Sequence, residues 1–228
     1  EQIYMVYQPQ ISECGKSVSG VEALLRWKHP IYGQISPVIT IPLAEELGIM
    51  KHLGLVILSK ACRQRAAWKG IVESNFSMAV NIVPQQLADP QFEKHVFEII
   101  DTNGLTPEML ELEITESTML EPDENTLKAL LGMRLNGIGI AIDDFGMGHT
   151  SFRYLRSFPV NKIKIDRSLT IGDARKVNDE IIKSVLELSK TLEISTIIEG
   201  VETKAQLNRF IHMGCTNFQG YLFSRPLT

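Results

Sequence analysis

Along this chain, short hydrophobic runs of β-prone residues keep ending in a carboxylate, an amide or a lysine. The clearest are Phe76–Asn81 (FSMAVN), Leu110–Glu113 (LELE), Ile138–Asp143 (IGIAID, with Asp144 next), Val160–Lys164 (VNKIK) and Ser195–Glu199 (STIIE). Between most of them apolar residues recur at three- and four-residue spacing, the period of a helix with one buried face. These helical stretches are Pro37–Leu47, Lys51–Lys69, Gln91–Asn103, Thr126–Asn136, Glu180–Leu192 and Lys204–Met213. Gly48 and Gly104 stand where two of them should stop. A polar stretch, Asp173–Asp179, and a last strand over Asn217–Phe223 complete the pattern.

A strand that ends in a polar residue and turns into a helix, repeated, is the signature of an α/β barrel of the TIM (β/α)8 type. The opening departs from the regular plan. Ile3–Gln10 and Gly20–Trp27 read as strands joined by a short turn containing Gly15. A parallel pair needs a crossover of about a dozen residues or more, so this pair is antiparallel. In such a barrel the strand ends converge at the C-terminal mouth. Asn81, Glu113, Asp143, Asp144 and Glu199 therefore meet despite their separation in sequence. They are hard oxygen ligands, suited to Mg²⁺ or Mn²⁺ rather than zinc or copper.

Several local patterns sharpen this. Alternation puts Glu22, Leu24 and Arg26 on one strand face, where a carboxylate and a guanidinium can hold a metal and a phosphate side by side, or simply each other. Adjacent Asp143 and Asp144 repel each other at a strand end; one or two divalent cations relieve that, as in two-metal phosphoryl chemistry, although a solvated turn is the plainer reading. The glycines of Phe145-Gly146-Met147-Gly148 favour a loop that approaches a ligand closely. Glu113 is assigned to metal, with Glu111 on the same face one layer deeper. Glu116 either holds the adjacent loop or is a helix N-terminal acid. Lys162, Lys164 and Asp166 share a face, so Lys164 binds a phosphate oxygen or a water, or pairs with Asp166. No Ser-His-Asp arrangement or nucleophile elbow is present; a two-metal hydrolase needs neither.

The length of 228 residues suits one barrel domain, and 44% apolar and 22% charged residues are ordinary globular values. A formal charge of −4 and the lack of a long basic run argue against nucleic-acid binding. Cys14, Cys62 and Cys215 are scattered and form neither a metal pair nor a disulfide framework, which fits a reducing cytoplasm. No apolar run reaches the ~18 residues of a membrane span, so no membrane contact is expected of this domain. The chain reads as one domain, 1–228, of a longer protein, whose remaining segments could carry an anchor or a sensor.

In these residues the chain resembles the EAL domain family of cyclic di-GMP phosphodiesterases. The resemblance runs in order through Tyr7-Gln8-Pro9, Glu22-Ala23-Leu24 with Arg26-Trp27, Ala44-Glu45 with Gly48, and Val80-Asn81. It continues through Glu113-Ile114-Thr115-Glu116-Ser117, Asp143-Asp144-Phe145-Gly146, Lys164-Ile165-Asp166, Glu199-Gly200-Val201-Glu202 and Gln219-Gly220-Tyr221. Each piece alone is weak; in register they are specific. The resemblance implies a barrel with its first strand antiparallel to the rest, two Mg²⁺ or Mn²⁺ ions, and hydrolysis of cyclic di-GMP to linear 5′-pGpG. It implies Glu22, Asn81, Glu113 and Asp143 as ligands of one ion, and Asp143, Asp144 and Glu199 as ligands of the other. Lys164 corresponds to the lysine that positions water and phosphate. Gln8, Arg26, Gln219 and Glu202 correspond to substrate contacts, and Glu116 to the anchor of the Asp-rich loop. Regulatory domains in the same longer chain are also implied. So is a homodimer built through Thr126–Asn136 and Ser151–Ser157, where Phe152, Tyr154 and Leu155 either form the interface or pack into the barrel's shell. Met147, His149 and Thr150 depart from the family's usual Thr, Tyr and Ser, and Thr40 stands where Phe is common. The alternatives are a catalytically silent cyclic di-GMP receptor or scaffold, and a barrel hydrolase of another phosphodiester.

Overall fold

The computed structural model of the chain describes residues 2–12, 15–119, 124–147, 155, 158–171 and 175–228. Strands β1 (Ile3–Ser12) and β2 (Ser17–His29) pair antiparallel, from Ile3 opposite Trp27 to Ser12 opposite Ser17. Gly15 sits in the connection with a φ of +94°, a left-handed conformation that glycine adopts without steric cost. A short β3 (Gly33–Ile35) folds back on β2 outside the barrel, and no hydrophobic run announces it. The chain continues as α1 (Pro37–Glu46), α2 (Met50–Ala67), β4 (Ser77–Asn81), α3 (Pro84–Leu87), α4 (Phe92–Thr102), β5 (Leu110–Thr115) and α5 (Glu124–Leu135). Then come β6 (Gly139–Phe145), β7 (Lys162–Ile165), α6 (Arg167–Thr170), α7 (Arg175–Thr191), β8 (Ser195–Ile198), α8 (Lys204–His212) and β9 (Asn217–Gln219).

Strands β2 and β4 to β9 are parallel neighbours in sequence order, and β1 closes the sheet between β9 and β2, antiparallel to both. The result is a closed eight-stranded α/β barrel with a reversed first strand, as expected from the short Gly15 turn.

Its two buried surfaces differ in chemistry. In LELEIT, Leu110, Leu112 and Ile114 point outward into the shell between strands and helices, each at most 1% exposed. Glu111 and Glu113 point into the lumen and are also buried. β7 repeats this, with Ile163 and Ile165 outward and Lys162 and Lys164 inward. Barrel lumens are usually filled by branched apolar side chains. Here the lumen toward the mouth is charged, so the apolar shell outside the strands carries most of the hydrophobic stabilisation.

Several boundaries differ from the sequence pattern. β6 runs on through Phe145 rather than stopping at Asp143. α7 begins at Arg175, inside the stretch read as a polar connection, because a solvated first turn needs no apolar period. Asn178 within it reaches toward the Ser168 and Ile171 carbonyls. β9 spans only Asn217–Gln219, since Gly220 lies against the Val201 backbone where a side chain would overlap it. Among the described residues, no helix is long and apolar enough to cross a membrane.

Candidate active site

The end of β7 puts the Lys164 ammonium at the centre of the mouth, fully buried among carboxylates from four other strands or the residues just after them. Its Nζ lies 2.9 Å from Glu113, 2.9 Å from Glu199, 3.0 Å from Asp143 and 3.3 Å from Glu22. Asp166, the alternative partner, instead caps α6 by accepting from the Ser168 N–H. Glu22 is held at both oxygens: Asn81 donates to Oε1 at 2.7 Å, and Gln219 to Oε2 at 2.6 Å. Four carboxylates against one ammonium leave the pocket strongly negative.

Strand alternation alone would send Asp143 and Asp144 to opposite faces. Asp144 escapes this with a φ of +56°, and the β6–β7 register slips between Ile142 and Phe145. Asp143 is buried in the lumen and Asp144 reaches solvent, yet both have oxygens near Glu199. Two residues beyond Asp144, Gly146 has a φ of +104° and lies against Leu169, whose side chain would have to shift to admit a Cβ there. The Gly146 N–H donates to Glu116 Oε2 at 2.9 Å.

Among the described residues, two sets of acidic oxygens lie mutually within 4.8 Å: Glu22, Glu113 and Asp143, and Asp143, Asp144 and Glu199. Asp143 belongs to both. Glu113 Oε2 is buried without a hydrogen-bond partner. Asp143 Oδ1 is also buried and, although 3.0 Å from Lys164, is not aligned for a hydrogen bond. Buried acceptors without donors are costly, and a divalent cation satisfies them while offsetting the excess negative charge. An all-oxygen donor set fits a hard ion such as Mg²⁺, Mn²⁺ or Ca²⁺.

The protonation balance agrees. Burial opposes the charge on Lys164, but Asp143, Glu113, Glu199 and Glu22 together lift its pKa well above the usual lysine range. Burial, reinforced by Glu22 and opposed by Lys164, pushes Glu113 well above the carboxylate range. Burial also raises Glu199 to about 8, against Lys164 and with Asp143. Asp144 rises to about 6 through burial on its protein side and the neighbouring Asp143 and Asp166. Burial would raise Glu22 too, but Lys164 and the hydrogen bonds from Gln219 and Asn81 hold it below the ordinary value.

A cavity of about 280 Å³ opens above this centre, lined by Glu22, Asp143, Asp144 and Glu199 on its floor. Gln8, Arg167, Glu202, Gln219 and Tyr221 stand around its wall. The family model for the EAL domain matches residues 1–226.

The chain belongs to the EAL domain family.

It is 37% identical over 227 residues to the bifunctional diguanylate cyclase/cyclic di-GMP phosphodiesterase MucR of Pseudomonas aeruginosa, covering 99% of this chain and 33% of that protein. It superposes on the MucR phosphodiesterase in complex with cyclic di-GMP with a TM-score of 0.92 and 35% identity, covering 99% of this chain and 92% of that one. It superposes on Klebsiella pneumoniae BlrP1, in a calcium and cyclic di-GMP complex, with a TM-score of 0.86 and 28% identity, covering 100% of this chain and 56% of that one. The chain spans about a quarter to a third of the length of the curated relatives it matches.

Within this EAL domain, most residues singled out from sequence converge. Glu22, Asn81, Glu113, Asp143, Asp144, Lys164, Glu199 and Gln219 form the centre, with Gln8 and Glu202 on the wall. Arg26 is not among the residues lining this cavity. It lies four residues beyond Glu22 on β2, roughly 13 Å along an extended strand, and its guanidinium donates to the Leu25 carbonyl. Leu155, expected as a possible interface residue, is 2% exposed and packs in the core; Phe152, Tyr154, Gly148, His149 and Thr150 lie outside the described residues. Gln10 and Arg167 were not singled out from the sequence. Arg167 lines the cavity and pairs with Glu202 at 2.8 Å. Gln10 is buried and donates to Glu113 at 3.4 Å, a position that the strand alternation from Gln8 could have revealed.

Proposed function

We propose that this domain hydrolyses cyclic di-GMP to linear 5′-pGpG with the aid of two divalent cations. The observation that carries the reading is the pair of carboxylate sets sharing Asp143, with a buried, unpartnered Glu113 oxygen, on the floor of an open cavity. The names of the relatives supply the substrate. Glu22, Asn81, Glu113 and Asp143 would hold one ion, and Asp143, Asp144 and Glu199 the other. Bound there, Mg²⁺ or Mn²⁺ supplies Lewis acidity toward the phosphodiester and a water ionised near neutral pH.

The chain's own residues do the rest. Lys164 keeps its proton at neutral pH and aims a fixed positive charge at the floor of the cavity, where negative charge grows on the phosphoryl oxygens. Glu113, Glu199 and Asp144 must lose their protons for both carboxylate sets to be charged. Gln219 and Asn81 fix the Glu22 carboxylate by donating to opposite oxygens. Gln8, Glu202 and the Arg167 guanidinium face the space a nucleotide would fill, and Tyr221 offers a ring for base stacking. Glu116 holds the start of the Asp-rich loop through Gly146. One ester P–O3′ bond breaks, a water oxygen bonds to phosphorus, and the released 3′ oxygen takes a proton.

The direct test is to incubate the purified domain with cyclic di-GMP and Mg²⁺ and follow 5′-pGpG by chromatography. Product that disappears with EDTA and returns with Mg²⁺ or Mn²⁺ supports the reading. Binding of cyclic di-GMP without product would make the domain a receptor, and undiminished product in EDTA would remove the cations from the reaction.

A further inference from the structure

Below the layer centred on Lys164 lies a second polar layer that nothing in the proposed chemistry uses. Lys162 Nζ is 2.6 Å from Glu111, and both side chains are largely withdrawn from solvent. Gln10, only 1% exposed, stands between this pair and the candidate metal floor. Its Oε1 accepts from Lys162 at 3.4 Å and its Nε2 donates to Glu113 Oε1 at 3.4 Å. Gly139 gives the layer room, since a side chain there would press on Glu111 at 3.3 Å.

The order of these groups matters. An ammonium only donates hydrogen bonds, so the Gln10 amide must turn its oxygen to Lys162. Its NH₂ then faces Glu113. Reversing the amide would place an oxygen against the Glu113 carboxylate and an NH₂ against the ammonium, two repulsive contacts at once. Glu111 in turn fixes Lys162. We propose that Gln10, oriented by the Lys162–Glu111 pair, is a positioning residue for Glu113: it holds one carboxylate oxygen from below so that the other, Oε2, stays turned to the cation. Groups that orient a metal ligand in this way typically alter metal affinity 10–100-fold when removed.

The inference rests on the reading of Glu113 as a metal ligand, and the test separates the two. The readout is the Mn²⁺ dissociation constant of the substrate-free domain, measured by calorimetry and by the electron paramagnetic resonance of bound Mn²⁺, with circular dichroism reporting the fold. Gln10→Met keeps the length and volume of the side chain but removes the donor. It should weaken Mn²⁺ binding about tenfold and change the resonance of the ion at Glu113, while leaving the fold intact. A second variant, Glu111→Leu with Lys162→Met, removes the buried pair together, which is tolerated better than removing one partner. It should weaken the same ion through loss of amide orientation. Adding Gln10→Met to it should then cost much less than Gln10→Met costs alone, because both changes act through one hydrogen bond.

Wild-type Mn²⁺ affinity and resonance in a folded Gln10→Met domain, alongside a loss in Glu113→Gln, would overturn the positioning role and keep the metal site. Additive effects in the combined variant would overturn the relay from Lys162. Unchanged affinity in Glu113→Gln would overturn the site reading, and this inference with it. Should Gln10→Met not fold, the paired variant decides alone: unchanged affinity and resonance there refute the relay.

Discussion

At the scale of single residues, Lys164 does two things that pull on stability in opposite ways. It costs desolvation, and it is the cation that makes three buried carboxylates and the partly buried Glu199 tolerable. Lys164→Met should therefore destabilise the metal-free domain by about 3–5 kcal/mol, the usual result of stranding buried charge. Mg²⁺ should recover a large part of that loss if the carboxylates bind it, which a thermal melt with and without the ion measures. Glu22→Ala should behave differently. It relieves crowding at the mouth, so the fold should survive while turnover falls by more than about a hundredfold, beyond the range of indirect effects. Acidity gives a third expectation. Glu199 near 8 and Asp144 near 6 are raised above their unfolded values, so between those limits the folded state binds more protons. Metal-free stability should then fall as pH rises from about 4 to 8. Mn²⁺ affinity should move the other way, strengthening up to about tenfold per pH unit between 6 and 8 as the proton on Glu199 is displaced. Paired melts and Mn²⁺ titrations across that range check both signs; an affinity flat from pH 6 to 8 would contradict the assignment of Glu199 as a ligand.

At the scale of elements, the parallel strands were legible because their outward residues are unbroken aliphatics and their inward residues are conspicuous charges. Leu110–Thr115 shows both: the strand starts at Leu110, where the run read from sequence starts, and carries two residues past Glu113. The elements that were missed lack that contrast. The three residues of β3 carry no periodicity, and the first turn of α7 has one apolar residue, Val177, which is exposed. The break in β6 at Asp144 was hidden for another reason. A positive φ at an aspartate is a tertiary outcome of the slipped β6–β7 register, and it alone lets adjacent carboxylates serve one site. The same loop yields a prediction. The Glu116 carboxylate accepts from the Gly146 N–H. Glu116→Ala should lower turnover and raise the Mg²⁺ concentration needed for half-maximal rate, with the melting temperature little changed. Glu116→Gln, which keeps an acceptor, should retain more activity than Glu116→Ala; equal losses in both would mean that the charge, not the hydrogen bond, holds the loop.

At the scale of the whole molecule, the barrel gathers residues from Gln8 to Tyr221 around one mouth, which is why sequence order alone gave the cast but not the contacts. Asn81 and Gln219 could be named from the strand ends and the family resemblance. That they clamp opposite oxygens of Glu22 depends on barrel curvature, which no local pattern encodes. Arg26 shares a strand face with Glu22 four residues further along β2, and its guanidinium donates to the Leu25 carbonyl. Assembly into a homodimer belongs to the same scale. We propose α5 as the contacting element, since its Leu131 and Leu135 are exposed, whereas Leu155 is committed to the core. Specific activity should then rise with protein concentration by mass action, and sedimentation should show dimers over the same range; a monomer with dilution-independent activity would remove dimerisation from the mechanism. The central claim is that Asp143 is shared by two cations at the barrel mouth. Anomalous diffraction from crystals grown with Mn²⁺ and cyclic di-GMP tests it most directly. The account predicts two peaks, one bounded by Glu22, Asn81, Glu113 and Asp143 and the other by Asp143, Asp144 and Glu199. A single peak, or two that do not share Asp143, would contradict it.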